Sequence, residues 1–487
     1  MKRTSKIFAR IQTAPASNPP RSPRIRILKL AIFTALLFFG QIALAPDRPP
    51  SASANTAPVT MDRLINSDGT LNLNSGWGGS FDLTGWTVTL DSARGPILSG
   101  NSTPRENLPR SLEGAWSAFP NNGLGGLVNA LAVTGTGDLY VGGTFTQTVD
   151  GVVKNLNGIA KYSGGAWSAL PNNGLADFLG SPGSVMAFAV SGSDVYVGGY
   201  FNQTFDTNIP NLNGIAKLSG GTTWTALPGN GFYGGVQALA VNGSGDVYVG
   251  GSFNQTADGG TTNLNNFAKL SGGTWSSPRG GLDGGVSALA ISGNDVYVGG
   301  GFTQSFDGSV LNLNSIAKLT GATTWSPLPN NGLQRNGNVA SVLALAVNGS
   351  NLYVGGYFTG TKDETLNNLN NIAMMSGGTW SPLAGNGLND IVRALAISGS
   401  DLYVAGNFTQ AFDGSVTSLN HITRYTNGWF ALPHQGLNAS GLALATRAQD
   451  IYVGGAFTKT FDNAVTNLGY IAKYQAPTQL FLPLVLR

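Results

Sequence analysis

The sequence predicts an all-β fold built from seven copies of one repeated unit, and three observations lead to that prediction. Tryptophan recurs at intervals of 49 to 57 residues. Between successive tryptophans three motifs return in the same order: V-x-A-L-A, then D-(L/V/I)-Y-V-G-G-x-F, then N-L-N-x-I-A-K. Glycine contributes 70 of the 487 residues, about twice its usual share of roughly 7%. The recurring tryptophans are Trp116, Trp167, Trp224, Trp275, Trp325, Trp380 and Trp429.

Each unit contains four short runs rich in Val, Ile, Tyr, Phe and Trp, separated by clusters of Gly, Asn, Asp and Ser. Such a unit is typical of a four-stranded antiparallel meander. The runs Ala130–Val133 and Tyr140-Val141 are apolar without strict alternation, which predicts sheets buried on both faces. Sheets stacked face to face around an axis satisfy that requirement, so we predict a seven-bladed β-propeller.

Two features place individual strands within a blade. The Ala-rich run suits the innermost strand, where blades crowd together, and the Gly-Gly pair after Tyr-Val would let a neighbour approach closely. The first unit begins at Trp116, the last strand of a blade, whereas the last unit ends at Ile471–Tyr474, the third strand of another. We therefore expect Gly114–Phe119 to supply the missing fourth strand and to close the ring without open edges.

The repeat also resembles a known family. A Gly-Gly pair, then an aromatic or large apolar residue, then Trp four to six residues later resembles the kelch repeat. The fuller pattern D-L-Y-V-G-G-x-F-T, N-I-A-K and W-S-x-L is similar to secreted bacterial kelch-like propellers of the galactose-oxidase central-domain superfamily. The resemblance covers about residues 113–474 and implies the fold but no particular activity. The large apolar residues are Tyr162, Leu218, Leu270, Leu319, Met375 and Tyr425.

Composition excludes several classes of site. The chain has no Cys, which excludes disulfides, thiolate metal sites and Cys nucleophiles. Only two His are present, too few for a His-rich metal cage. Copper oxidase chemistry of the galactose-oxidase type, which needs a Cys-linked Tyr, is excluded for the same reason. We predict no metal, no cofactor and no catalytic residue.

The N-terminal segment has the layout of an export signal. Eight basic residues and no acidic one precede the apolar stretch Leu30–Ala45. This stretch is short against the roughly 20 residues that span a bilayer, so a cleaved signal is favoured, with a retained membrane anchor as the alternative. Cleavage could follow Ala43-Leu44-Ala45 or Ala52-Ser53-Ala54. Removal through Ala54 leaves 18 basic and 23 acidic residues, a net charge of −5, and no basic footprint for nucleic acid.

The chain is therefore divided into four parts. Residues 1–54 are the export signal and leader, and 55–112 are a Pro-, Ser- and Ala-rich linker followed by a small β element over 61–100. Residues 113–475 are the propeller, expected to be monomeric, and 476–487 are a short apolar tail. The predicted location is secreted or at the cell surface, or membrane-anchored if Leu30–Ala45 is retained.

Binding residues are predicted in the loops between each Trp and the following V-x-A-L-A. These loops vary in length, and the second and fifth units carry insertions at Ala176–Ser184 and Gln334–Ser341. Variable loops on a rigid scaffold are where function tends to lie. The second position of V-x-A-L-A also varies, and Arg393 is the charged residue there. The candidates are Asp177, Phe178, Phe232, Tyr233, Asp283, Arg335, Asp390, Arg393 and His434.

The loops after the Phe of each unit are uniform, and their aspartates are predicted to form turns. These are Asp150, Asp206, Asp258, Asp307, Asp413 and Asp462. A repeated Ca²⁺ site is the alternative, although each unit offers about one carboxylate where Ca²⁺ takes six to eight oxygen ligands.

Three function classes remain. The favoured one is a non-catalytic exported propeller that binds a surface or extracellular glycan or protein, with Phe178, Phe232 and Tyr233 available to stack on sugar rings. The second is a carbohydrate-active hydrolase or lyase, which would need two loop carboxylates about 5–10 Å apart. The third is a structural surface-layer repeat protein, which would have flat loops without pockets.

Overall fold

The computed structural model describes residues 86–91, 95–100, 114–321 and 323–477. The predicted leader, most of the predicted linker and the tail beyond residue 477 lie outside these residues. Within the predicted small β element, Trp86–Asp91 and Gly95–Gly100 pair as a two-stranded sheet. The rest of that predicted element lies outside the described residues.

Residues 114–321 and 323–477 form an all-β architecture of seven four-stranded antiparallel sheets, numbered here in chain order. The strands of each sheet are given in order across the sheet, starting with the strand that carries V-x-A-L-A. The first four sheets contain Val128–Val133, Leu139–Gly143, Ile159–Ser163 and Ala166–Ala169; Ser184–Ser191, Asp194–Tyr200, Ile215–Ser219 and Thr223–Ala226; Phe232–Val241, Val247–Thr256, Phe267–Ser271 and Thr274–Ser276; and Val286–Ser292, Asp295–Gly300, Ile316–Thr320 and Thr324–Pro327. The last three sheets contain Ser341–Asn348, Asn351–Tyr357, Ile372–Ser376 and Thr379–Pro382; Val392–Ser398, Asp401–Gly406, Ile422–Tyr425 and Trp429–Ala431; and Gly441–Arg447, Asp450–Gly455, Ile471–Gln475 and Ala115–Ala118.

Short elements join and decorate these sheets. Leu175–Ala176 pairs with Gln203–Thr204, and Leu333–Arg335 pairs with Asn338–Val339 and Gly360–Thr361. A 3-10 turn lies in the connector that enters each sheet. These turns are Pro120–Asn122, Pro171–Asn173, Pro228–Asn230, Pro278–Gly280, Pro329–Asn331, Ala384–Asn386 and Pro433–Gln435.

The V-x-A-L-A strand is the innermost strand of its sheet. The innermost strands of consecutive sheets contact each other, and those of the seventh and first sheets are also in contact. Sheets packed face to face in this way have the architecture of a β-propeller. The second strand of the first sheet is buried throughout, as predicted, whereas the innermost strand is only partly buried because it forms the sheet's free edge.

The first glycine of each Gly-Gly pair makes room for the next sheet. A methyl group at Gly142, Gly198 or Gly250 would overlap the first valine of V-x-A-L-A in the following sheet. The sixth sheet has Ala405 at this position, and the seventh sheet has Gly441 in place of the valine. A Cβ on Gly441 would lie 2.8 Å from the Cβ of Ala405. The methyl group that Ala405 adds is thus offset by the loss of the valine side chain at Gly441, because interiors this closely packed leave no spare volume.

The tryptophans link the sheets through hydrogen bonds. The indole Nε1 of Trp167 donates to the Pro120 carbonyl oxygen at 3.1 Å, and that of Trp224 donates to the Pro171 carbonyl oxygen at 3.0 Å. Each acceptor lies in the turn of the connector that enters the tryptophan's own sheet. The same bond recurs for the other five repeat tryptophans: Trp275 to Pro228, Trp325 to Pro278, Trp380 to Pro329, Trp429 to Ala384 and Trp116 to Pro433.

Ion pairs repeat inside the sheets in the same way. The Asp before Tyr-Val on the second strand pairs with the Lys or Arg of the third strand, at 2.6 to 3.5 Å, in six sheets. In the fifth sheet both partners are replaced together, by Asn351 and Met374. Pairs as exposed as these contribute at most about 1 kcal/mol each. Because both charged residues are replaced in the fifth sheet, no unpaired charge remains there.

The expected strand Gly114–Phe119 is present as Ala115–Ala118, which pairs with Ile471–Gln475. Trp116 lies opposite Tyr474, with ring centroids 5.3 Å apart, and is buried.

Truncation of Trp116 to Ala is expected to destabilise the protein by about 3–5 kcal/mol, since it removes a buried aromatic side chain. Chemical denaturation measures the loss. Trp116→Phe, which removes the indole N–H but keeps a ring, should lose less, and an unchanged free energy of unfolding in Trp116→Ala would contradict the role of this strand.

The Ala405–Gly441 replacement can be tested as a double-mutant cycle. Gly441→Val alone should destabilise the protein by about 1–3 kcal/mol, because its side chain overlaps Ala405. Gly441→Val combined with Ala405→Gly recreates the Gly–Val contact of the other sheets and should regain most of that loss. Two effects that simply add would show that these residues do not pack against each other.

Candidate functional site

The innermost strand of each sheet begins at the edge where the second strand ends. Ser184 lies opposite Tyr200, and Ser341 lies opposite Tyr357. The connectors that enter the sheets and the loops that follow the second strands therefore lie at one edge, which we call the variable-loop face. The two insertions seen in the sequence, in the second and fifth units, fall here.

The insertion in the second unit forms a hairpin with an apolar tip. Asp177 Oδ1 accepts hydrogen bonds from the backbone N–H groups of Leu179 and Ser181, both at 2.9 Å. This turn exposes the side chain of Phe178 by 76% and that of Leu179 by 75%. The Phe178 N–H donates to Asn202 Oδ1 at 3.1 Å, which fixes the tip to the adjacent loop. Asp177 thus shapes the hairpin, and Phe178 is available for contact.

The prediction that Phe232 contacts a ligand is wrong. Its side chain is 2% exposed and packs against the rings of Phe253 and Trp275, with centroids 4.2 Å and 4.6 Å away. Phe232 follows the 3-10 turn of its connector at the position that the other units fill with a buried leucine. Those leucines are Leu124, Leu175, Leu282, Leu333, Leu388 and Leu437. Alignment of the units on this position is the sequence signal that identifies Phe232 as a core residue.

Tyr233, the next residue, has the opposite environment. Its side chain is 71% exposed and lines a surface depression with Ser252, Asn254, Asn265 and Asn266. The Asn265 and Asn266 side-chain amides donate to the carbonyl oxygens of Gly280 and Leu282, which fixes their orientation. Sequence reasoning missed these polar residues because they lie in the loop whose length is the same in every unit.

A chain of polar contacts runs along the innermost strands. The Gln237 side chain donates through Nε2 to the Tyr200 hydroxyl at 2.9 Å, and the Ser287 hydroxyl donates to Gln237 Oε1 at 3.4 Å. Gln237 and Ser287 hold the second position of V-x-A-L-A in neighbouring units, and Tyr200 follows the Gly-Gly pair of the unit before. These two variable positions of neighbouring sheets therefore meet at the variable-loop face.

The two candidate arginines are both at this face. The Arg335 guanidinium carbon lies 3.5 Å from the centroid of the Tyr357 ring. Arg393 Nε donates to Asn407 Oδ1 at 3.0 Å, and the side chain is exposed. Asp390 is exposed and accepts the Ile391 N–H at 2.7 Å. Tyr357 and Asn407 were not predicted, although both occupy the variable position just before the recurring Phe of their units.

Asp283 and His434 hold loops in place. Asp283 accepts the backbone N–H groups of Thr303 and Gln304 at 2.7 and 3.1 Å, as Asn389 does for Thr409 and Gln410 in the sixth unit. His434 Nδ1 lies 2.9 Å from Asp462 Oδ2. Other units place Asn121, Asn172 and Asn330 at this position, and each donates to a turn aspartate.

The predicted turn role of the loop aspartates is confirmed. Asp150, for example, accepts the Thr148 hydroxyl and the Val152 N–H through Oδ1, and Asp363, which the sequence analysis had not named, makes the equivalent bonds with Thr361 and Thr365. Hydrogen bonds from the Ser309 and Ser305 hydroxyls lower the pKa of Asp307 to about 2. Among the described residues no three His, Asp or Glu are grouped so that they could bind a metal ion.

The chain was compared with known proteins. No family model matches it. A curated relative, "Polarized growth protein L1" of Phoma sp. (strain ATCC 20986 / MF5453), is 35% identical over 145 residues. That alignment covers 28% of this chain and only 10% of the relative, too little to assign a family.

Similar solved structures include YCF48 bound to D1 peptide, at 12% identity and a TM-score of 0.44, covering 77% of this chain and 99% of that one. Virginiamycin B lyase from Staphylococcus aureus has 14% identity and a TM-score of 0.44, with coverage of 75% and 99%. The extracellular domain of BT4673 from B. thetaiotaomicron has 10% identity and a TM-score of 0.43, with coverage of 75% and 40%. These values assign the chain to none of those families. Within the part of the chain that the structure describes, no helix has the length and apolarity to cross a membrane.

The contrast between Phe232 and Tyr233 can be measured directly. Phe232→Ala should cost about 3–5 kcal/mol of stability, because a buried ring is lost. Tyr233→Ala should change stability by no more than about 0.5 kcal/mol, as expected for an exposed side chain. Thermal and chemical denaturation of the two variants provide the comparison. A large loss of stability in Tyr233→Ala would exclude Tyr233 as a free contact residue.

Proposed function

We propose that this chain is an exported, monomeric, non-catalytic propeller of seven kelch-like blades, closed by the strand around Trp116, that binds an extracellular or cell-surface glycan at its variable-loop face. The basic and apolar leader supports export. The recurrence of seven units and the pairing of Ala115–Ala118 with Ile471–Gln475 support the closed ring.

The observation on which the glycan assignment depends is the depression at Tyr233. An exposed aromatic ring offers an apolar face to the C–H face of a sugar. Asn254 and Ser252 beside it are exposed and supply donors and acceptors suited to sugar hydroxyls. Concave sites that combine an apolar surface with a few placed polar groups are typical of small-ligand recognition.

A protein partner is the second candidate, and one observation favours it. The Phe178–Leu179 tip is apolar on both side chains and strongly exposed. An exposed apolar patch of this kind marks interaction surfaces in monomeric proteins. A glycan ligand would use Phe178 as a second stacking surface, whereas a protein would bury both tip residues.

The loop carboxylates do not favour the hydrolase alternative. Asp177 and Asp283 each accept two backbone N–H groups of the variable-loop face, and Asp390 accepts one. These bonds give each carboxylate a local role in its loop. A glycoside hydrolase would require two carboxyl groups facing one scissile bond.

The test is binding of the secreted chain to an array of neutral and acidic oligosaccharides. Tyr233→Ala should weaken binding of the best ligand by about fivefold, since a stacked ring contributes about 1 kcal/mol and 1.4 kcal/mol is a factor of ten. Phe430→Ala, which removes an exposed ring from an outermost strand, is the matched control and should bind normally. The proposed site would be excluded if Tyr233→Ala left glycan binding unchanged while a Phe178→Ala, Leu179→Ala double variant lost it. Absence of binding to any glycan would also exclude it.

A further inference from the structure

The insertion of the fifth unit presents a guanidinium group that has no carboxylate partner. Arg335 lies in the inserted hairpin and stacks on Tyr357 at 3.5 Å. Among the described residues, none accepts a hydrogen bond from its side chain or forms an ion pair with it. The contact with the ring face uses none of the guanidinium donors, so the N–H groups are free to donate to a ligand.

The sixth sheet presents a second guanidinium group without a carboxylate partner. Arg393 is on the innermost strand Val392–Ser398 and is fixed at one point, by the bond from Nε to Asn407. Neither terminal nitrogen has a hydrogen-bond partner in the part of the chain that the structure describes. Anchoring at Nε orients the side chain and reduces the rotamer freedom that a ligand would otherwise have to restrict.

The repeat places Arg393 on the strand next to the one that carries Tyr357. In the second and third units the tyrosine after Gly-Gly, Tyr200, contacts the second residue of the next innermost strand, Gln237. Tyr357 and Arg393 occupy those same two positions in the fifth and sixth units, and their strands are in contact. Arg335 stacks on Tyr357, so the two guanidinium groups belong to one part of the variable-loop face.

These cations differ from those inside the sheets. Lys161, Lys217, Lys269, Lys318, Arg424 and Lys473 each pair with an aspartate of the same sheet. The acid nearest in sequence to Arg393 is Asp390, which accepts a hydrogen bond from the backbone N–H of Ile391. Two arginines without a carboxylate partner give this part of the face a local positive charge, which attracts anions.

We propose that Arg335 and Arg393 form an anion subsite for a carboxylate on the glycan, so that the ligand is an acidic polysaccharide containing uronic acid residues. The planar fork of a guanidinium group matches the two oxygens of a carboxylate. One guanidinium group lies over the Tyr357 ring and the other is hydrogen-bonded to Asn407, so each is positioned before a ligand binds. This inference rests on the proposed glycan function and specifies its substrate class.

The probes are an oligogalacturonate, its fully methyl-esterified form, and a sulfated neutral oligosaccharide, each titrated by calorimetry against the secreted chain. The free acid should bind, and the ester should bind at least tenfold more weakly, because esterification removes the charge and retains the sugar rings. Arg393→Gln and Arg335→Gln should each weaken binding of the free acid about tenfold or more, as expected for a charge-assisted pair. Arg393→Lys keeps the charge without the fork and should fall between Arg393→Gln and the original chain.

Arg279→Gln is the matched control, since Arg279 is an exposed arginine in the connector of the fourth sheet. It removes the same charge elsewhere and should leave affinity within about twofold, and thermal melting verifies that every variant is folded. Tyr233-dependent binding that is equal for acid and ester would overturn the carboxylate subsite and leave the proposed function intact. Preference for the sulfated probe would overturn the carboxylate assignment. Absence of binding to any glycan would overturn both proposals.

Discussion

The hydrogen bond from the indole of each of the seven repeat tryptophans to the connector that enters its sheet is the contact on which the rest of this structure depends. A buried indole needs an acceptor for its N–H, and here the acceptor is always the carbonyl oxygen that begins a 3-10 turn. The bond fixes the outermost strand of one sheet to the chain arriving from the sheet before. It also fixes the start of each connector, so that the variable residues beyond it are presented from a rigid base.

Comparison of the units within the chain separates two kinds of change. Ala405 is matched by Gly441, and Asn351 is matched by Met374, so in each pair a second replacement offsets the first. Such paired changes preserve packing volume or charge balance and belong to the scaffold. Tyr233, Arg335 and Arg393 have no such compensating partner, and each projects from the variable-loop face. Uncompensated differences at a common edge are what a ligand site built on a repeated scaffold would look like.

The extent of prediction from the sequence differs between scaffold and site. The order of strands, the room left by the first glycine of the Gly-Gly pairs and the turn role of the aspartates followed from seven internal copies. Phe232 was wrongly predicted to bind a ligand because the connector that contains it was selected for its variable length. The burial of Phe232 and the exposure of Tyr233 depend on the 3-10 turn that precedes them. Asn254 and Asn265 were missed because uniform spacing says nothing about which side chains face a neighbouring connector.

The sequence by itself determined the repeating unit, its strands and its turns, because these depend on local patterns of apolar residues, Gly and Asp that recur within about fifty residues. Tertiary structure alone decided which variable residues meet. Tyr200 of the second sheet contacts Gln237 of the third sheet, and Arg335 of the inserted hairpin stacks on Tyr357 of the fifth sheet. Contacts of this kind depend on how sheets are placed against each other, and that placement is set by side-chain volumes and hydrogen bonds between units that are far apart in the chain.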